Sequence, residues 1–334
     1  MKVILTADLH IQDGIYVNIC LDYIDYLSTY AQNNNINTIM FLGDILHKAN
    51  KMKYDTFVPL FKKLEELKQN GFRLYFILGN HDIYTMERDS LIETFSPFGI
   101  VIKDKEIITI DGVDICLCSY TSDQTLVPTV GADYLFTHLS IADFSFDNDM
   151  EVKDKSSFKP ELFDNYKKVF TGHFHKRQEK HNIEYIGSPY QLSYGEAGDT
   201  NKGFVVFEPS TGNEEFVKYE NAPKYAVLSY EDIAENGVDK EDIKNSFVKI
   251  LVSKKIENFS KLRTVLYKVG AIDVRPEFPK KVQDEEGERI KIDINKNLSD
   301  MMIDFISSKK FTSGSSELDS NELIKKIKEI QSEL

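Results

Sequence analysis

Little in this chain of 334 residues would hold together a secreted or membrane-bound protein. It has three cysteines, Cys20, Cys116 and Cys118, and their spacing fits neither a disulfide framework nor a zinc site. They read as buried thiols in a reducing compartment. No apolar run reaches the length of a membrane span, and Met1-Lys2-Val3 enters a strand-like run at once, without a basic leader. The expectation is a soluble, cytoplasmic protein with no membrane partner. There is no internal repeat of solenoid length. The tyrosines and phenylalanines form no ordered series that would stack bases. An excess of positive charge is lacking too, since the formal net charge is −13. Residues 1–223 carry 21 Lys+Arg against 33 Asp+Glu, whereas residues 224–334 carry 20 against 21. Such a chain has little electrostatic grip on nucleic acid by itself. The acidity is concentrated, however, where bound divalent cations would offset part of it.

What the chain does have is a recurring pattern. Short apolar runs end abruptly in polar residues that carry imidazole, carboxylate or amide groups. Val3–Ala7 runs into Asp8-Leu9-His10, and Thr38–Leu42 into Gly43-Asp44-Ile45-Leu46-His47. Arg73–Leu78 runs into Gly79-Asn80-His81-Asp82, Tyr134–Thr137 into His138, and Val169–Thr171 into Gly172-His173-Phe174-His175. The composition of each run is that of a buried strand. In open α/β sheets, ligands sit just beyond the C-terminal ends of strands. Six of the seven histidines stand at these five places, a distribution that scattered core histidines would not produce.

Between the runs, apolar residues at helical spacing predict helices over about 16–33 and 54–69, closed by Asn33-Asn34-Asn35 and Asn70-Gly71. Two successive strand–helix–strand crossovers predict parallel strands. Asp111-Gly112 and Ser210–Asn213 then predict hairpins. The simplest architecture is α/β: a two-layer sandwich of mixed β-sheets flanked by helices. Residues 143–160 read as a long surface loop, either solvated or a lid over the site. A domain boundary is expected near Asn221-Ala222-Pro223, giving residues 1–222 as one domain and 223–280 as a small α+β module. Residues 281–334 are expected to hold an irregular charged stretch (Lys280–Lys296), an amphipathic helix (Leu298–Ile306), a flexible linker (Thr312–Ser316) and a last helix (Glu322–Leu334). That last helix either folds back or docks on a partner.

The candidate ligands are Asp8, His10, Asp44, Asn80, His138, His173 and His175. With oxygen and nitrogen donors and no thiolate, they suit Mn²⁺, Fe²⁺ or Zn²⁺. Seven donors are too many for one catalytic ion with an open position. They suffice for two ions about 3.5–4 Å apart that share one carboxylate, and Asp44, near the middle of the set, is the natural bridge. Such a pair lowers the pKa of a water between the ions and clamps both oxygens of an in-line displacement at phosphorus. The expected chemistry is therefore phosphoester hydrolysis. Other residues that draw attention have plainer readings: His181 facing solvent, Cys116 and Cys118 in the core, and Lys249, Lys254, Lys255, Lys261, Arg263 and Lys268 as charged surface unless they meet phosphates.

The ordered set Asp-x-His, Gly-Asp, Gly-Asn-His-Asp, His and Gly-His-x-His across residues 8–175 resembles the signature of the calcineurin-like metallophosphoesterases. Within that superfamily, Gly43-Asp44-Ile45-Leu46-His47 and Tyr185-Ile186-Gly187-Ser188-Pro189 resemble blocks of the SbcD-type nuclease subunit of the SbcCD double-strand-break repair complex. The stretch from Gly195 to Phe204 is similar to the T-even phage branch of that type. The resemblance implies one ion on Asp8, His10, Asp44 and His175, and a second on Asp44, Asn80, His138 and His173. It implies that His81, oriented by Asp82 and with His47 nearby, handles the departing oxygen. It further implies a Mn²⁺-dependent (or Mg²⁺-dependent) 3′–5′ exonuclease on duplex DNA and an endonuclease on single strands and hairpins. By the same resemblance, module 223–280 would cap DNA, and the C-terminal helices would dock an SbcC-type coiled-coil ABC ATPase. The protein would work as a homodimer in DNA recombination and repair. The alternatives are a generic phosphodiesterase or phosphatase, and a catalytically silent scaffold that binds DNA or a partner.

Overall fold

The computed structural model describes residues 1–85, 87–129, 131–145, 157–253, 259–278 and 324–326, and the backbone of 311–313 and 316–318. It divides into two units, Met1–Pro279 and Lys280–Leu334, which are treated in turn.

Strands are numbered along the chain. In the first unit, β1 (Val3–Thr6), β2 (Thr38–Leu42), β3 (Arg73–Ile77) and β4 (Ile100–Ile102) run parallel. Along the free edge of β1, β11 (Gly203–Glu208) pairs antiparallel, followed by β12 (Asn213–Lys218). This gives a six-stranded sheet in the order β12-β11-β1-β2-β3-β4. A second six-stranded sheet, β5-β6-β7-β8-β10-β9, has the same mixed character. Its parallel centre is β6 (Val113–Cys118), β7 (Tyr134–His138), β8 (Lys168–Gly172) and β10 (Ile183–Tyr185). The antiparallel edges are β5 (Lys105–Ile110) and β9 (Gln178–Lys180). Strands β5 and β6 meet at Asp111-Gly112, both at positive φ (51° and 79°), as the expected two-residue hairpin requires.

The two sheets stack face to face, and period-two alternation decides which side chains meet. Val3, Leu5, Met40, Leu42, Val205 and Phe207 of the first sheet face Ile115, Leu117, Tyr134, Phe136 and Phe170 of the second. The Phe207 ring lies with its centroid 4.9 Å from Tyr134, 5.9 Å from Phe136 and 4.9 Å from Phe170. Truncating it to alanine would cost about 3–5 kcal/mol, as for other fully buried aromatics. The intervening residues of the first sheet, Ile4, Ile39, Phe41, Leu74 and Phe76, turn outward. They pack under α1 (Ile15–Asn33) and α2 (Tyr54–Gln69), the crossovers between β1, β2 and β3. The outer face of the second sheet differs from expectation. Cys116, Cys118, Leu135 and Val169 are covered by Leu139, Phe144, Phe158 and Phe163, which lie on loops and a 3₁₀ turn rather than on helices.

A third, smaller sheet follows. Strands β13 (Lys224–Ser229), β14 (Ser246–Leu251) and β15 (Asp273–Glu277) are parallel. Helices α3 (Tyr230–Asn236), α4 (Lys240–Ile243) and α5 (Phe259–Val269) connect them around a separate core of Ile243, Val248, Ile250, Leu266 and Val274. On the opposite face, the Phe247 ring stacks with Tyr16 of α1 (5.4 Å, 10°) and with Tyr225 (4.8 Å, 16°). That stack, together with the Tyr225 N–H donated to Gln191 Oε1 at 2.6 Å, seats the module on the sandwich.

In the second unit, Phe311–Ser313 (β16) and Ser316–Leu318 (β17) pair antiparallel. The expectation of a flexible linker over Thr312–Ser316 is thereby corrected. Only Thr312, Ser313 and Ser316 of that stretch are described, and they lie in these strands. Residues 324–326 are helical; the rest of the expected helix 322–334 lies outside the described residues, as do Lys280–Lys296, Leu298–Ile306 and positions 146–156 of the expected loop.

Candidate metal centre

The parallel strands of both sheets deliver their C-terminal ends to one place. Beyond β1 and β2 the two loops continue as a hydrogen-bonded ladder. Asp8 N–H donates to Gly43 O (3.0 Å), His10 N–H to Asp44 O (2.9 Å), Ile11 N–H to Ile45 O (2.9 Å) and His47 N–H to Ile11 O (3.2 Å). The ladder, and the end of β8 beside it, hold unusual backbone. Asp8, His10, Asp44 and His173 have φ of 55°, 44°, 49° and 101°. Non-glycine residues at positive φ are uncommon, and they persist where the surroundings over-determine them, typically at functional sites. Here the left-handed turn re-aims each side chain off its strand axis and into a common space.

Close approach of backbone to side chain explains the glycines of the motifs. A Cβ on Gly79 would collide with the Asp44 carboxylate and its backbone N, and one on Gly43, at φ 81°, would strike the His138 ring. Only glycine lets the β2 and β3 loops converge on Asp44.

Two groups of donors result. The donor atoms of Asp8, His10 and His175 lie within 4.8 Å of one another, and so do those of Asp44, His138 and His173. His10 Nε2 and His175 Nε2 are 3.1 Å apart. Asn80 Oδ1 is 3.2 Å from His138 Nε2 and 2.9 Å from His173 Nδ1. The groups meet at one atom: Asp44 Oδ2 is 3.5 Å from His10 Nε2 and 3.4 Å from His138 Nε2. Its other oxygen accepts the His81 N–H at 2.8 Å. All seven expected ligands are thus brought together, with Asp44 at the centre. His138 donates Nδ1–H to Leu42 O at 2.8 Å, which turns its Nε2 toward Asp44. The buried His10 Nδ1 has no hydrogen-bond partner among the described residues. Lone pairs crowded this closely, all on nitrogen and oxygen, fit a pair of divalent cations.

The titration of the cluster follows from its burial. Asp8 is fully buried, which pushes its carboxyl up to about 6 despite His138 and His175 nearby. Burial also opposes the charges of Asp44 and His138, but each has the other as partner. Asp44 lies below its ordinary range and His138 is raised to about 9. His173, buried and beside His138, is lowered to about 3, and burial holds His10 well below its usual value.

His81 and His47 flank His10, with ring centroids 4.8 Å and 5.8 Å from it. The expectation that Asp82 orients His81 is corrected. Asp82 is buried and its carboxylate accepts the N–H groups of Ile45 (3.2 Å), Leu46 (2.8 Å) and Gly79 (2.9 Å). It ties the β2 loop to the β3 loop. The His81 ring is held instead by its Nδ1–H donated to His47 O at 3.0 Å. Neighbours in sequence point apart in this turn, so adjacency misleads.

Sequence reasoning also misses what stands behind His175. Glu196 Oε1 accepts from His175 Nδ1 at 3.2 Å, and Glu196 Oε2 pairs with Lys202 Nζ at 2.7 Å. The only local signal is that Glu196 ends the Gly-Ser-Pro block. Of the other residues singled out, His181 is exposed, Cys116 and Cys118 are buried, and Lys261, Arg263 and Lys268 are exposed on the module. Lys249 pairs with Glu277, and Lys254 and Lys255 lie outside the described residues.

The family model of the calcineurin-like phosphoesterases matches residues 1–189. Exonuclease subunit 1 of Enterobacteria phage T4 is 25% identical over 324 residues, covering 92% of this chain and 93% of that protein. Among solved structures, a dimetal phosphatase from Danio rerio is 13% identical with a TM-score of 0.42, over 62% of this chain and 91% of that one. Nuclease MPE of Pseudomonas putida is 14% identical with a TM-score of 0.29, over 52% of this chain and 61% of that one. No described helix is long and apolar enough to cross a membrane. The chain belongs to the calcineurin-like phosphoesterase family, metal-dependent hydrolases that work at a dimetal centre.

Proposed function

We propose that the chain is a DNA phosphodiesterase, a 3′–5′ exonuclease on duplex ends and an endonuclease on single strands and hairpins. One observation carries the chemistry: a single oxygen, Asp44 Oδ2, lies 3.5 Å from a nitrogen of one donor group and 3.4 Å from a nitrogen of the other. Asp8, His10, Asp44 and His175 would hold one ion, and Asp44, Asn80, His138 and His173 the second. When bound, the two ions supply Lewis-acid activation of water and neutralise charge at phosphorus. The abundance of imidazole among the donors favours Mn²⁺ over Mg²⁺.

The protein's own part is to orient and to move a proton. The His47 carbonyl fixes the His81 proton on Nδ1, so the other ring nitrogen, Nε2, is the one available to the substrate. Water adds to phosphorus and releases one proton to solvent, the bond to the departing sugar oxygen breaks, and the His81 ring passes a proton from Nε2 to that oxygen and regains one from solvent. His47 stands 5.9 Å from His81 between ring centroids, as a second imidazole beside the same oxygen.

DNA as substrate and an exonuclease complex as context are supported by the relative over nine-tenths of the chain, named as a subunit. On this reading the module 223–280 caps DNA, and residues 281–334 dock an SbcC-type coiled-coil ABC ATPase. The nuclease acts as a homodimer whose access to DNA the ATPase regulates. The acidic chain has little grip on phosphates without such help.

The test is cleavage of end-labelled duplex DNA by the purified protein in Mn²⁺, Mg²⁺ or EDTA, with bis-p-nitrophenyl phosphate alongside. Shortening from the 3′ end in Mn²⁺, absent in EDTA and in His81→Gln, is expected. Hydrolysis of the small ester with DNA untouched, even after a candidate ATPase is added, would overturn the nuclease reading in favour of a generic phosphodiesterase.

A further inference from the structure

The turn that follows β10 buries two opposite charges where a turn needs none. Glu196 and Lys202 have side chains 1% and 3% exposed, and their charged atoms are 2.7 Å apart. A buried ion pair is seldom a gain over apolar packing, so its retention calls for a role. Both residues grip the same ligand. Glu196 Oε1 accepts from the ring Nδ1 of His175 at 3.2 Å and from Leu192 N–H at 3.2 Å. Lys202 Nζ donates to the main-chain carbonyl of His175 at 2.9 Å and to Ser188 Oγ at 2.9 Å. His175 is therefore clamped at its ring and its backbone by one ion pair. Its remaining ring nitrogen, Nε2, is thereby turned to His10 Nε2, 3.1 Å away.

We propose that Glu196, locked by Lys202, is a positioning residue for the ion held by Asp8, His10 and His175. It keeps the His175 proton on Nδ1 and presents the Nε2 lone pair to the cation. A carboxylate behind a ligating imidazole fixes its tautomer and raises its basicity, and loss of such a partner typically weakens binding about 10–100-fold. The inference rests on the dimetal reading given above.

Lys202 Nζ also lies 3.0 Å from Asp199 Oδ2, so removing Glu196 alone would leave that buried ammonium on one carboxylate and shift its position; the test therefore uses charge-balanced pairs in the full chain. Glu196→Gln with Lys202→Met keeps an acceptor for Nδ1–H, and Glu196→Leu with Lys202→Met removes it. Each protein is titrated with Co²⁺ by calorimetry and by visible absorption, with circular dichroism and thermal unfolding as the check on fold. Wild type is expected to bind two ions. The Gln/Met protein should bind both, with a smaller loss than Leu/Met at the ion held by His175, because the acceptor for Nδ1–H stays while the charge that raises basicity goes. The Leu/Met protein should lose about 10–100-fold at one ion only, with an altered absorption band for that ion. Wild-type affinity and spectrum in Leu/Met, or equal loss in Gln/Met and Leu/Met, would overturn the positioning role. A wild-type protein that binds fewer than two ions would instead overturn the dimetal reading beneath it.

Discussion

The two halves of the metal centre are held by different means. His138, in the half with Asp44 and His173, sits fully buried on a β-strand and leans on a neutral main-chain carbonyl, Leu42 O. His175, in the half with Asp8 and His10, lies beyond the strands, is 24% exposed, and leans on a buried charged pair. A strand end needs only the sheet to place a ligand. A ligand displaced into a loop needs its own scaffold, and here the scaffold is the turn that also carries Gln191 and Tyr194, the residues in contact with the small module. His138 is fixed by its strand, His175 by a loop that the module touches.

The largest way to break this comparison is to remove what the halves share. Asp44→Asn should abolish binding of the second equivalent of Mn²⁺ and lower turnover by at least about 10²–10³-fold, the usual scale for loss of one key electrostatic group. Calorimetry and rate measurements on one sample check both. His81→Gln should lower turnover by about 10²–10⁴-fold, the range for a general acid, while both ions still bind. His47→Ala should cost less than His81→Gln, because the hold of His47 on His81 is through its main-chain oxygen. Equal losses in the two variants would contradict that division.

The smallest effect separates the halves by pH. His138, raised to about 9, carries a proton at neutral pH that an entering cation must displace. Affinity at its half should therefore rise about tenfold per pH unit from neutrality and level off near 9, since proton and metal compete for one lone pair. In the other half His10 is already neutral and Asp8 titrates at about 6, so affinity there should stay flat above 6 and fall below it. Mn²⁺ titrations followed by electron paramagnetic resonance from pH 5.5 to 9 would show two different profiles, and a single shared profile would refute the distinction.

The sandwich and the convergence of the seven candidate ligands were readable because each stands at or just past the end of a strand whose burial is written in its own residues. Ile39–Leu42 is apolar throughout because both its faces are covered. The rest lay beyond local pattern. Glu196 and His175 are 21 positions apart, and a lysine as buried as Lys202 runs against hydropathy. The role of Asp82 was misassigned because a turn directs successive side chains to opposite sides. The covering of the second sheet by loops was illegible for a related reason, since aromatic residues such as Phe144 and Phe158 have no periodicity there to show what they cover.

The ladder between residues 8–11 and 43–47 has a metric consequence. Its four bonds tie residues 8, 10 and 11 to residues 43, 44, 45 and 47, so neither loop has slack. Inserting or deleting one residue in either loop would slide Asp8 and His10 past Asp44 by a full rung and take the bridging oxygen out of reach of one half. The spacing Asp-x-His against Gly-Asp-x-x-His is thus a ruler. The number of residues between ligands is set by rung counting, while Leu9, Ile45 and Leu46 between them need only be apolar enough to stay buried.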